Sequence, residues 1–147
     1  MRWVFFNTHF VLCVLLYNRK EAEEMRENEA KEKQMEDFAK LCRVIRNYVK
    51  DKRWDECEVL IPKYMELYPH SAVPHNLMGI MLEKQGKHPQ AMCHFRAAAA
   101  LDASYLPAGY NMKLYSAFEK TRDNKEPAYD EADCEDFNEK SQNENQF

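Results

Sequence analysis

An all-α fold is what this chain of 147 residues predicts, and three observations carry the prediction. Small and apolar residues recur at helical intervals through residues 75–103, and a weaker copy of the same pattern lies 34 residues earlier. Gly86, followed by His88 and Pro89, punctuates that pattern. Glycine suits the left-handed cap that ends a helix, and proline near a first turn loses no hydrogen bond because its N–H would be unpaired there anyway. Residues 18–35 are almost wholly charged and strongly helix-forming. Hydrophobic residues at 45% and charged residues at 31% fit one folded helical core with polar appendages.

The first element, residues 1–17, is apolar, with Asn7, Thr8 and His9 interrupting it. A spanning helix needs about 20 mostly apolar residues, and a cleaved signal needs small residues near its end, which this stretch lacks. Three readings stay open: a membrane anchor, a signal, and a buried segment or mis-assigned start. For an anchor, Arg19, Lys20, Arg26, Lys31 and Lys33 follow closely, so the positive-inside rule leaves the remainder in the cytoplasm. The second element, residues 18–35, has no apolar stripe and is expected to be a solvated helical spacer rather than a coiled coil.

The third element, residues 36–120, carries His75, Met78, Gly79, Leu82, Gly86, Ala91, Phe95 and Ala98, closing at Leu101–Ala103. These positions resemble one unit of the tetratricopeptide (TPR) repeat, a W-x2-L-G-x2-Y, A-x3-F, P pattern over about 34 residues. The resemblance implies a helical hairpin in which Gly79 leaves only a hydrogen between the helices. Ala91 and Ala98 let the second helix lie close, and Phe95 fills the gap. The weaker copy consists of Leu41, Val44, Ile45, Tyr48, Cys57, Ile61 and Pro69, with Ile45 in place of the glycine. Ala108, Tyr110, Asn111 and Met112 begin a partial third unit. The expected helices run over about 36–51, 54–68, 72–85, 89–101 and 106–119, giving a short superhelical stack of antiparallel helix pairs with a capping helix. That cap is apolar (Tyr105, Leu106, Tyr110, Met112, Leu114, Tyr115 and Phe118), so a second copy or a partner is expected to cover it.

The fourth element, residues 121–147, has nine acidic and three basic residues and one proline, and is expected to be disordered. It carries −6 of the net charge of −4, leaving +2 on the remainder. That balance argues against nucleic acid as a partner. Five scattered cysteines without a C-x-x-C pair argue against a disulfide framework or a zinc site and for a reducing compartment. The five histidines show no metal-ligand spacing, and no H-E-x-x-H, G-x-S-x-G or P-loop occurs. No cofactor, metal or catalytic residue is assigned, and the chain is read as non-enzymatic.

The TPR resemblance implies that the first helix of each unit lines a concave groove for a protein or peptide. Carried over by position, that groove contains Cys42, Arg46, Val49 and Lys50, then Val73, Asn76, Ile80 and Glu83, then Tyr110 and Leu114. Arg46 and Lys50, one turn apart, form a basic patch with Arg43 and Arg53. Such a patch suits an acidic peptide or a terminal carboxylate. The basic and asparagine positions of chaperone-binding TPR domains are mostly lacking: Cys42 and Pro107 occupy two of them, and only Asn76 and Asn111 lie at or beside the others. The acidic tail, with Asp130, Glu131, Asp133, Glu135 and Asp136, could lie across the same patch and compete with outside ligands. The expected function is a protein- or peptide-binding adaptor in the cytoplasm, tethered to a membrane if residues 1–17 anchor it. The alternative is an assembly protein that forms a homodimer through its last helix.

Overall fold

Neither glycine nor proline occurs before Pro62, so nothing in the covalent chain interrupts a helix there. In the computed structural model the first helix, α1, accordingly spans Trp3–Lys50. The structure describes residues 3–116 and 125–134, with side chains from Leu15 onward. The side chains of residues 1–14, on which the anchor and signal readings rest, lie outside that range, as do residues 117–124 and 135–147. Two compact units are present, Met1–Phe38 and Ala39–Phe147. Within the first, residues 15–36 are helical and mostly exposed, with i,i+4 ion pairs between Arg19 and Glu23 (3.1 Å) and between Glu27 and Lys31 (2.7 Å). Among the described residues, no helix is long and apolar enough to cross a membrane.

The second unit holds the end of α1 and all that follows: α2 (Trp54–Leu67), α3 (Ala72–Lys84), α4 (His88–Leu101), α5 (Leu106–Ser116) and a 3-10 turn at Glu131–Cys134. No strand occurs among the described residues, so the all-α class stands. The ends of the helices fall within a residue or two of those expected, apart from the start of α1 and the end of α5, beyond which residues 117–120 are not described. Lys52 closes α1 in the left-handed conformation (φ 57°). The Arg53 N–H bonds the Tyr48 carbonyl (2.8 Å), and the Arg53 guanidinium lies 4.4 Å from the Tyr48 ring centre. These two contacts hold a turn that would otherwise favour glycine.

Helix α3 packs on α4, α2 and α5, and α4 packs on α5. The closest approach is at Gly79. A methyl group there would lie 2.5–2.9 Å from three ring carbons of Phe95, so only hydrogen fits. Gly86 takes φ +80° beyond the end of α3, and Pro89 falls in the first turn of α4. The Ser71 hydroxyl caps α3 by accepting from the Val73 N–H (3.3 Å). Ala72, Ala98 and Ala108 form a small-residue contact that draws α3, α4 and α5 together. Phe95 and Tyr115 stack nearly parallel at 5.7 Å.

Two expectations are corrected here. The apolar side of α5 is covered within the chain itself: Leu114 and Tyr115 are buried, and Tyr105, Leu106, Tyr110 and Met112 are partly buried. Phe118 lies outside the described residues. Part of the cover is the 3-10 turn, which packs on α5. Residues 125–134 are therefore not disordered, although composition argued that they would be. Their mean polarity is high, but Pro127, Ala128, Tyr129 and Cys134 are all buried. Local pairing and a receptive surface override average composition over so short a stretch.

Candidate functional site

Residues 125–134 lie against side chains from α1, α3 and α5, and the polar groups that hold them define the site. Asn76 and Asn111 are both fully buried, an arrangement that polar side chains tolerate only when their hydrogen bonds are made. Here they grip a peptide group. Asn76 donates through Nδ2 to the Ala128 carbonyl at 2.9 Å, and Asn111 donates to the same oxygen at 2.7 Å. The Ala128 N–H donates in return to Asn111 Oδ1 at 2.9 Å. Asn111 Nδ2 also donates to Asn76 Oδ1 at 2.9 Å, which fixes the orientation of both amides. Both backbone polar groups of one residue are thus bonded.

The next peptide is held as well. The Tyr129 carbonyl accepts from the Cys42 thiol (3.3 Å) and from the Tyr105 hydroxyl (3.4 Å). Burial, reinforced by Asp130, pushes the Cys42 thiol up to about 12, so it stays protonated and donates rather than acting as a nucleophile. Burial also raises the hydroxyls of Tyr105 and Tyr129 above the usual tyrosine range. Upstream, the Tyr110 hydroxyl donates to the Glu126 carbonyl at 3.3 Å, and Lys84 approaches the Glu126 carboxylate at 3.6 Å.

Arg46 reads the side chains. Its guanidinium donates to both oxygens of Asp133, at 3.1 and 2.7 Å, and to Asp130 at 3.4 Å. The same group lies 4.7 Å from the centre of the Tyr129 ring. Burial works against its charge, and the two carboxylates more than offset that effect. Asp133 also accepts from the backbone N–H groups of Tyr129 (2.8 Å) and Asp130 (3.3 Å), so one carboxylate both shapes the turn and meets the arginine.

Of the groove residues expected from sequence, Cys42, Arg46, Asn76 and Tyr110 come together on this segment. Val49 and Lys50 line an adjoining open cleft of about 720 Å³ together with Lys84, Tyr110 and Lys125. The remaining four have other settings. Ile80 and Leu114 are buried core residues, and Glu83 pairs with His88 at 2.8 Å. Val73 is half-buried in the first turn of α3, where its N–H is capped. Asn111 bonds both the carbonyl and the N–H of Ala128 yet was not among the groove residues, although it falls beside Tyr110 at or near a position associated with carboxylate binding. Its polarity on the inner side of an apolar helix was the available signal. The basic patch also divides: Arg46 faces the segment, whereas Arg53 pairs with Glu56 at 2.7 Å and Arg43 is exposed.

Comparison of the chain with protein-family models, with curated proteins and with solved structures finds no match.

Proposed function

We propose that the chain is a non-enzymatic adaptor that binds an extended peptide of another protein along the inner side of a TPR-like stack of helix pairs. One observation carries this reading. The backbone N–H and C=O of Ala128 are both bonded by the side-chain amides of Asn76 and Asn111, three bonds of 2.7–2.9 Å made to main-chain atoms. Arg46 beside them supplies a charge-assisted fork for an acidic side chain. The spacing of Gly79, Phe95 and Gly86 within the α3–α4 pair agrees with the repeat resemblance. Cys42, Cys57, Cys93 and Cys134 are free thiols, which fits a cytoplasmic protein. A tether through residues 1–17 is part of the same reading, and fractionation of the chain with and without residues 1–20 tests it.

Selection of a random peptide library on the immobilised full chain tests the binding. Enriched peptides should lose capture when Arg46→Glu or Asn76→Ala is introduced, with helicity unchanged by circular dichroism. Enrichment that is indifferent to both substitutions would place binding elsewhere and overturn the reading.

A further inference from the structure

We propose that the partner of this groove carries a small residue, an aromatic residue and Asp-x-x-Asp in succession, the pattern of residues 128–133, and that the chain's own copy competes with it. This rests on the peptide-binding reading above and gives it a ligand chemistry.

Each position has a physical reason. Ala128 is wholly buried where Asn76 and Asn111 close on its backbone, so that position takes a small side chain. Tyr129 is buried with its ring toward the Arg46 guanidinium, a contact that an aromatic face provides. Asp133 meets Arg46 through both oxygens while accepting from the N–H groups of Tyr129 and Asp130. That double duty fixes the spacing between the aromatic residue and the second aspartate. Glu131 and Ala132, between the aspartates, are exposed and therefore free to vary.

The occupant is held in a way that permits exchange. Arg46 and Asp130 each keep more than two-fifths of their side-chain surface in solvent. Asn76 and Asn111 remain bonded to one another if the segment leaves, and water can replace the peptide on their free sides. Upstream the internal copy is mixed in charge: Glu126 meets Lys84 at 3.6 Å, whereas Lys125 lines the same open cleft as Lys50 and Lys84. An outside segment with an acidic residue at that position would gain where the internal one loses. Tethering gives the internal copy an effective concentration of about millimolar order, and better upstream charge offers a partner a way past it.

The probe is a labelled peptide with the sequence of residues 125–134, carrying Cys134→Ser, titrated by fluorescence anisotropy into the full chain. Chains opened by Asp133→Asn or by Ala128→Arg should bind it about tenfold more tightly than the unaltered chain, because a charge-assisted bond or the small-residue fit has been removed from the competitor. Adding Arg46→Glu should abolish that binding, and Lys125→Glu in the peptide should strengthen it. Equal affinity for opened and unaltered chains would overturn the competition. Equal affinity for a scrambled peptide would overturn the pattern while leaving a general peptide groove standing, as would no binding by a helical opened chain when the library selection still enriches Arg46-dependent peptides. A measurement without substitutions guards against misfolded variants. Saturating peptide should expose Cys134 of the unaltered chain to alkylation while Cys42 stays protected, and failure to see that split would also overturn the proposal.

Discussion

Removing the Asn111 amide should release residues 125–134 without unfolding the helices beneath them. Asn111→Ala deletes the bond to the Ala128 carbonyl (2.7 Å), the bond from the Ala128 N–H (2.9 Å) and the bond to Asn76 (2.9 Å). A neutral hydrogen bond contributes about 1 kcal/mol net, and a buried donor left unpaired costs about 1–3 kcal/mol. The Ala128 carbonyl keeps its bond to Asn76, while the Ala128 N–H and Asn76 Oδ1 each lose the partner that Asn111 supplied. The seat should weaken by about 2–4 kcal/mol, a roughly 30- to 700-fold rise in the open population. Cys42 reports that population directly, being 3% exposed and bonded to the Tyr129 carbonyl. Site-resolved alkylation by mass spectrometry should therefore show Cys42 reacting faster by about that factor, provided closing outpaces labelling. Urea unfolding followed by circular dichroism supplies the control. An unchanged Cys42 rate in a helical variant would refute the account of the grip. A rise that tracks global unfolding one for one would show that the segment does not open on its own.

Two further predictions concern the helical pair that carries Asn76. Gly79→Ala places a methyl group against the buried Phe95 ring and should cost about 1–3 kcal/mol by overpacking; urea denaturation measures it, and Phe95→Leu in the same chain should recover part of the loss. His75 and His94 face each other through their Nδ1 atoms at 3.2 Å, and burial holds both below the usual histidine range, His94 further so because His75 opposes a second charge. The unfolded chain then binds protons more readily than the folded one, so stability is whole above about pH 6.5 and declines as pH falls below it. The urea midpoint should drop on acidification, and His94→Leu should flatten that slope; an equal slope in both chains would mean other groups govern it.

What the sequence made legible was whatever depends on local chemistry. Gly79 against Phe95, Gly86 in a left-handed cap and Pro89 in a first turn are each set by one residue's sterics, and each is found in place. The continuity of α1 was legible too, through the lack of any glycine or proline before Pro62, but dividing the chain by composition hid it. Arg46 and Asn76 were named by repeat position, and both bond residues 125–134. Ile80 and Leu114 were misplaced because a positional rule does not distinguish a groove wall from the core just beneath it. The order of residues 125–134 was missed for a different reason, although charge alone had suggested that Asp130 and Asp133 lie across the basic patch, where both meet Arg46. That order comes from contacts up to 87 residues away, and no local propensity encodes those.

That long separation bears on what the segment is for. A tail whose only role is to fill a gap needs apolar side chains of the right volume, and packing alone would hold it. Here the contacts are directional: two amides on one peptide group, a thiol and a phenol on the next carbonyl, and a guanidinium shared among one ring and two carboxylates. Directional polar contacts discriminate between chains more than they stabilise any one of them, because each costs desolvation that only a correctly placed partner repays. Arg46 concentrates this. A lysine there would keep the charge but lose the planar fork and the ring contact, so a surface that needed only attraction would not require arginine. Arg46, Asn76 and Asn111 hold residues 125–134 through directional contacts of this kind, and the proposed recognition of an outside peptide rests on them.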